Sequence, residues 1–119
     1  MGKLHRTRWG MIALLILIPI AEAAADNQAL LDAERLAARG RLALVSGANG
    51  TAGAAFEKAY SIVADPAYLF AAGEAYTEAT SWASAARVYT ILADRPLPEA
   101  ELQFAQEQLA TAEAKLEGI

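Results

Sequence analysis

Apolar positions along most of this chain recur at steps of three and four, the period of helices that bury one side. Five segments follow from residue 26 onward. The first carries Leu30, Leu31, Leu36, Leu42, Leu44 and Val45, with Asp26 or Asn27 as its cap and Gly47-Ala48-Asn49-Gly50 as its stop. Thr51 is the expected cap of a second, in which Ala52, Ala55, Phe56, Ala59, Ile62 and Val63 make one stripe. Asp65-Pro66 reads as the cap and first residue of a third helix running to about Ala79, because proline there forfeits no hydrogen bond. After a turn at Thr80-Ser81, a fourth helix from Trp82 to about Ala93 presents Trp82, Ala85, Ala86, Tyr89 and Leu92, and Asp94-Arg95-Pro96-Leu97-Pro98 ends it. A fifth, from Glu99 to Glu117, places Leu102, Ala105, Leu109, Ala112 and Leu116 on one side. No stretch alternates with a period of two, and alanine, the best helix former, makes up about a quarter of the chain. The predicted fold class is all-α.

A longer period overlies the short one. Leu36, Leu69 and Leu102 are 33 residues apart, and the same interval separates Gly40 from Gly73, Ala52 from Ala85 and Phe56 from Tyr89. A repeat of that length marks stacked helical hairpins. Glycine inside a helix costs roughly 1 kcal/mol against alanine, so Gly40 and Gly73 are expected to serve close helix approach, with Phe56 and Tyr89 filling the space between hairpins.

The start of the chain has a different character. Lys3, His5, Arg6 and Arg8 precede an uncharged run of about 13 residues from Trp9, and small residues follow at Ala21-Glu22-Ala23-Ala24-Ala25. This is the layout of a secretory signal, and the run is shorter than the roughly 20 residues a membrane-crossing helix needs. The expectation is a signal peptide over 1–25, cut after Ala23 or Ala25, ahead of a domain over 26–119. The product would be exported, periplasmic or secreted, and would touch the membrane only transiently; the alternative is anchorage to the inner membrane by an uncleaved signal. The chain has no cysteine, which favours a bacterial source over a eukaryotic secreted one and leaves stability to packing alone.

Removing the signal leaves seven basic against thirteen acidic side chains, a net charge of about −6. That balance counts against nucleic acid as partner, which needs a concentrated basic patch. His5, the sole histidine, leaves with the signal. Ser-His-Asp and Cys-His nucleophiles and the common zinc sites are therefore excluded, and the reading is of a protein that is not an enzyme, with no catalytic, cofactor or metal residues. Glu74 and Glu78 share a helix face, but like charges at that spacing are common on solvated surfaces. Gly47, Gly50 and Gly53 lack the lysine and preceding strand of a phosphate loop and read as an interhelical turn.

Leu69, Gly73, Tyr76, Ala85 and Tyr89, together with Leu36, Gly40, Ala52, Phe56 and Ala59, resemble the pattern of tetratricopeptide (TPR) repeats, and Phe56-Glu57-Lys58-Ala59-Tyr60 is similar to the usual end of their second helix. Ala43 stands where that family usually has tyrosine, and Ile62-Val63-Ala64 lengthens the run before Asp65-Pro66. The resemblance spans about two and a half repeats. It implies a short right-handed solenoid of antiparallel hairpins, over 27–64 and 66–94, closed by a polar-faced capping helix over 98–117. It also implies a protein or peptide partner held by the inner face, to which Glu34, Ala37, Arg41 and Leu44, then Ala67, Phe70, Glu74 and Thr77, and finally Gln103 and Glu107 would contribute.

Two functional expectations follow: an adaptor that catches a peptide or protein segment in that groove, or an assembly component that self-associates as a homo-oligomer. They differ over Leu42, Leu44 and Val45. Burial of these side chains within the chain makes a monomer adequate, whereas exposure implies an interface.

Overall fold

The computed structural model describes the backbone of residues 2–119 and the side chains of residues 24–119. The expected signal segment therefore lies outside the described side chains over 1–23. Five α-helices follow one another: α1 (Gly2–Val45), α2 (Asn49–Ile62), α3 (Pro66–Glu78), α4 (Trp82–Ala93) and α5 (Glu99–Glu117). Each packs against the next, and turns of three to five residues fold each back on its predecessor. Among the described residues there is no strand.

Three helices begin and end close to where the sequence places them, and two boundaries differ. Asp65 accepts a hydrogen bond from the Ala67 N–H at 3.0 Å, with Pro66 at the first helical position, as the dipeptide predicts. By contrast α1 runs uninterrupted past Asp26 and Asn27, which are not a cap. No glycine or proline lies between Ala21 and Arg39, and two cap-type side chains alone do not outweigh the helical propensity of the alanine-rich sequence on both sides. α2 starts at Asn49 rather than after Thr51, with Ala48 as its N-cap and no side-chain bond there. Asn49-Gly50-Thr51 is itself an Asn-x-Thr triplet, the type that accepts glycans in secreted eukaryotic chains. This triplet runs against the bacterial source that the missing cysteines favour.

The 33-residue interval has a direct geometric counterpart. At the α1–α2 turn the Ala48 N–H donates to Ala43 O at 2.8 Å, Gly47 N–H to Leu44 O at 3.0 Å and Ala52 N–H to Ala48 O at 2.9 Å. Thirty-three residues later the α3–α4 turn repeats all three: Ser81 to Tyr76 at 2.9 Å, Thr80 to Thr77 at 3.0 Å and Ala85 to Ser81 at 2.9 Å. Both turns pass through a left-handed residue, Gly47 with φ 80° and Thr80 with φ 54°.

The glycine–aromatic pairs repeat as well. A Cβ on Gly40 would lie 2.8 Å from Phe56 Cζ, and one on Gly73 would lie 2.5 Å from Tyr89 Cζ. These rings therefore seat on glycine inside each hairpin, α2 on α1 and α4 on α3, and not between hairpins as the spacing alone implies. The contact between hairpins uses another pair, Gly53 of α2 under Tyr76 of α3, with a Cβ–ring distance of 2.6 Å.

The core is built from small residues and these rings. Ala33, Ala37, Ala52, Ala59, Ala72, Ala85, Ala105 and Ala112 are buried with Phe56, Tyr68, Leu69, Tyr76, Val88, Tyr89 and Leu92. In α1 the buried line runs through Ala33, Ala37 and Gly40, and the larger Leu30, Leu31, Leu42, Leu44 and Val45 lie exposed. A ring seated on glycine demands short neighbours, so most of the aliphatics the periodicity marks as the buried set are turned outward, while Leu36 packs, partly buried, against the core.

Helices two apart in order are also tied. Tyr68 of α3 donates its hydroxyl to Glu34 Oε1 of α1 at 2.5 Å, and Arg87 of α4 donates to Glu57 Oε1 of α2 at 2.6 Å. Arg95 reaches from the α4–α5 turn to the Tyr60 hydroxyl at 2.6 Å and to Ala64 O at 3.3 Å. Among the described residues, no helix is long and apolar enough to cross a membrane.

Candidate functional site

A surface depression lies between α3 and α5 and reaches the end of α1. The helical period puts Ala71, Glu74, Ala75 and Glu78 of α3 on one wall, Phe104 and Gln108 of α5 one turn apart on the other, and Leu44 of α1 at one end, around a cavity of about 310 Å³. It continues past Glu74 into shallower ground formed by Asp65, Pro66, Ala67, Phe70, Ala100 and Glu101. The result is one groove along α3, whose parts share Phe70, Ala71 and Glu74.

Aromatic rings form its floor. Phe70 and Phe104 lie with ring centroids 6.0 Å apart and planes tilted by 43°, and Phe104 meets the edge of Tyr89 at 6.3 Å and 78°. Such offset and edge-on pairs are favourable beyond their buried area. Tyr89 comes up from α4 through the core, seated on Gly73, and so couples the groove floor to the repeat's own packing. Burial, and after it the negative charge of Glu74, pushes the Tyr89 hydroxyl up to about 12, while a hydrogen bond with Thr77 acts the other way. Phe104 remains 37% exposed although it is the floor's central ring.

The residues the sequence offers as an inner face divide into two groups. Leu44, Ala67, Phe70, Glu74 and Thr77 do line the groove. Glu34 and Arg41 do not: Glu34 accepts the Tyr68 hydroxyl and pairs with Arg41 at 3.9 Å, so both serve the α1–α3 junction. That hydrogen bond, reinforced by burial, pushes the Tyr68 hydroxyl up to about 12. Ala37 is fully buried in the core and has no surface to offer a partner. Gln103 and Glu107 are hydrogen-bonded to each other at 3.2 Å on the solvent side of α5, away from the groove lining. Extending the 33-residue interval into α5 selects them as counterparts of Phe70 and Glu74, but α5 is turned so that Phe104 and Gln108 face inward. A usable signal for this was present, since Phe104 is the one aromatic residue of α5.

Among the described residues, no group of three or more histidine, cysteine, aspartate or glutamate side chains is placed to hold a metal ion. The chain matches no protein-family model, and neither a curated protein nor a solved structure is significantly similar to it.

Proposed function

We propose that the chain is an exported, TPR-like protein-interaction module, a short solenoid whose groove between α3 and α5 receives a peptide or protein segment. The observation that carries this reading is the aromatic floor: a half-exposed Phe104 against Phe70, walled by helices from successive repeats. Large apolar rings left accessible in a concavity are the usual anchors of partner binding. The duplicated turns at Gly47 and Thr80 support the repeat build, with α5 in the role of a capping helix. The function so described is binding rather than catalysis and calls on no cofactor. A random peptide display selected on the chain tests it. Enrichment that disappears on a Phe70→Ala/Phe104→Ala variant with unchanged helicity supports the groove; enrichment indifferent to both rings refutes it.

One observation favours a second reading, self-association in an envelope assembly. Leu42 and Val45 are 70% and 87% exposed, and with Leu31 they lie on the face of α1 turned away from the buried Ala33, Ala37 and Gly40. An apolar stripe of this kind is characteristic of an interface, and an array below three full repeats gains stability from a neighbour. Export itself is tested by the mass of the protein recovered from the envelope fraction: loss of residues 1–23 or 1–25 supports it, and a full-length mass in the cytosol contradicts it.

A further inference from the structure

The groove has a charge of one sign. Glu74, Glu78 and Glu101 stand along its walls, Asp65 lies at one end with its carboxylate capping α3, and no lysine or arginine lines it. None of the three glutamates takes part in an ion pair among the described residues, where the pairs are Asp32–Arg35, Glu34–Arg41 and Glu57–Arg87. Of the other cationic groups, Arg95 is bonded to Tyr60 and the Ala64 carbonyl, Lys115 lies 5.8 Å over the Trp82 ring, and Arg39 and Lys58 line a separate depression between α1 and α2. The apolar floor and the unanswered carboxylates lie side by side, with Glu74 and Glu101 adjoining both Phe70 and Phe104.

We infer that the segment this groove takes is basic as well as apolar, with a lysine or arginine laying its hydrocarbon stem across Phe70 and Phe104 and its cationic head between Glu74 and Glu101. Long cationic side chains bind in this two-part manner, apolar along the stem and polar at the tip, and a cation near an aromatic face is attracted by the ring as well. A second basic residue one helical turn or two extended residues along would meet Glu78, while an aliphatic side chain between them would face Leu44. An acidic segment is disfavoured at the same site by three carboxylates without counter-charge, and a purely apolar one would cover them without pairing. The inference rests on the groove being the binding site and adds the chemistry of its occupant.

The test is fluorescence anisotropy with the full chain and three labelled peptides of equal length, alternating leucine with lysine, with glutamate or with serine. The leucine–lysine peptide is expected to bind at least tenfold more tightly than the other two, and to weaken as salt rises because the pairs are partly exposed. Glu74→Gln/Glu101→Gln should abolish the preference. Glu113→Gln/Glu117→Gln removes the same charge from an exposed, remote part of α5 and should leave it intact. Equal binding of the three peptides, or equal loss in both double variants, overturns the basic-partner inference while leaving the groove reading in place. No binding by any of the three, with helicity intact, overturns both.

Discussion

The ring of Tyr89 occupies the space where a side chain on Gly73 would begin: a Cβ there would lie 2.5 Å from Cζ and 2.8 Å from the hydroxyl oxygen. Gly40 and Phe56 stand in the same relation one repeat earlier. Alanine at position 73 should gain roughly 1 kcal/mol of helix propensity, but Tyr89 is fully buried and cannot swing away. Overpacking of that kind costs about 1–3 kcal/mol. Gly73→Ala is therefore expected to lower stability, whereas Gly50→Ala, with nothing within 4 Å of its Cβ, should raise it by about 0.5–1 kcal/mol. Thermal melts of the two variants moving in the same direction would contradict this account.

Gly47 and Thr80 fill the same place in the repeated turn, and only one of them suits it. Threonine at φ 54° bears a left-handed backbone that costs an L-residue roughly 1–2 kcal/mol. Thr80→Gly should accordingly stabilise the chain by up to about 1 kcal/mol after the added entropy of unfolded glycine. Gly47→Ala should destabilise it by a similar amount although its Cβ meets open space. Denaturant midpoints of both variants give the check.

Alkaline pH should loosen the fold through Tyr68 and Tyr89. Both hydroxyls are raised from 10.0 to about 12, Tyr68 mainly through its bond to Glu34 and Tyr89 mainly through burial. A tyrosine favoured in its neutral form by folding contributes stability that is whole below the unfolded value and lost as pH climbs through the folded one. The melting temperature is expected to hold steady on this account up to about pH 10 and to fall between 10 and 12. Tyr89→Phe and Tyr68→Phe should each flatten that fall, and an unchanged slope in both would contradict the assignment.

Much of the fold is legible in the sequence because few residues are enough to specify it. Asp65-Pro66 marks a helix start by its own chemistry, and the recurrence of glycine and aromatic at 40/56 and 73/89 specifies a contact twice over. The buried side of α1 is not legible in the same way. Hydrophobicity ranks Leu42 and Val45 above Ala33 and Gly40, but the close seat of Phe56 selects for smallness. The groove is half legible: Phe70 and Glu74 follow from the repeat, whereas Phe104 depends on the rotation of α5, which an interval counted along the chain does not carry.

Self-association through α1 makes a separate prediction. Leu42→Lys adds a charge at a 70% exposed position and removes no core contact. If two copies meet on that stripe, the melting temperature should rise with protein concentration, and the variant should abolish the rise. A melt of the unsubstituted chain that stays constant over a wide dilution range would exclude the stripe as an interface between copies.

The most direct test of the central claim is to map backbone amide shifts of the full chain as the leucine–lysine peptide is added. The groove account predicts that the perturbed amides cluster at Ala71, Glu74, Phe104 and Gln108, which share one cavity. Perturbations centred instead on Leu31, Leu42 and Val45, or on Arg87 and Arg95, would place binding on another surface and contradict it.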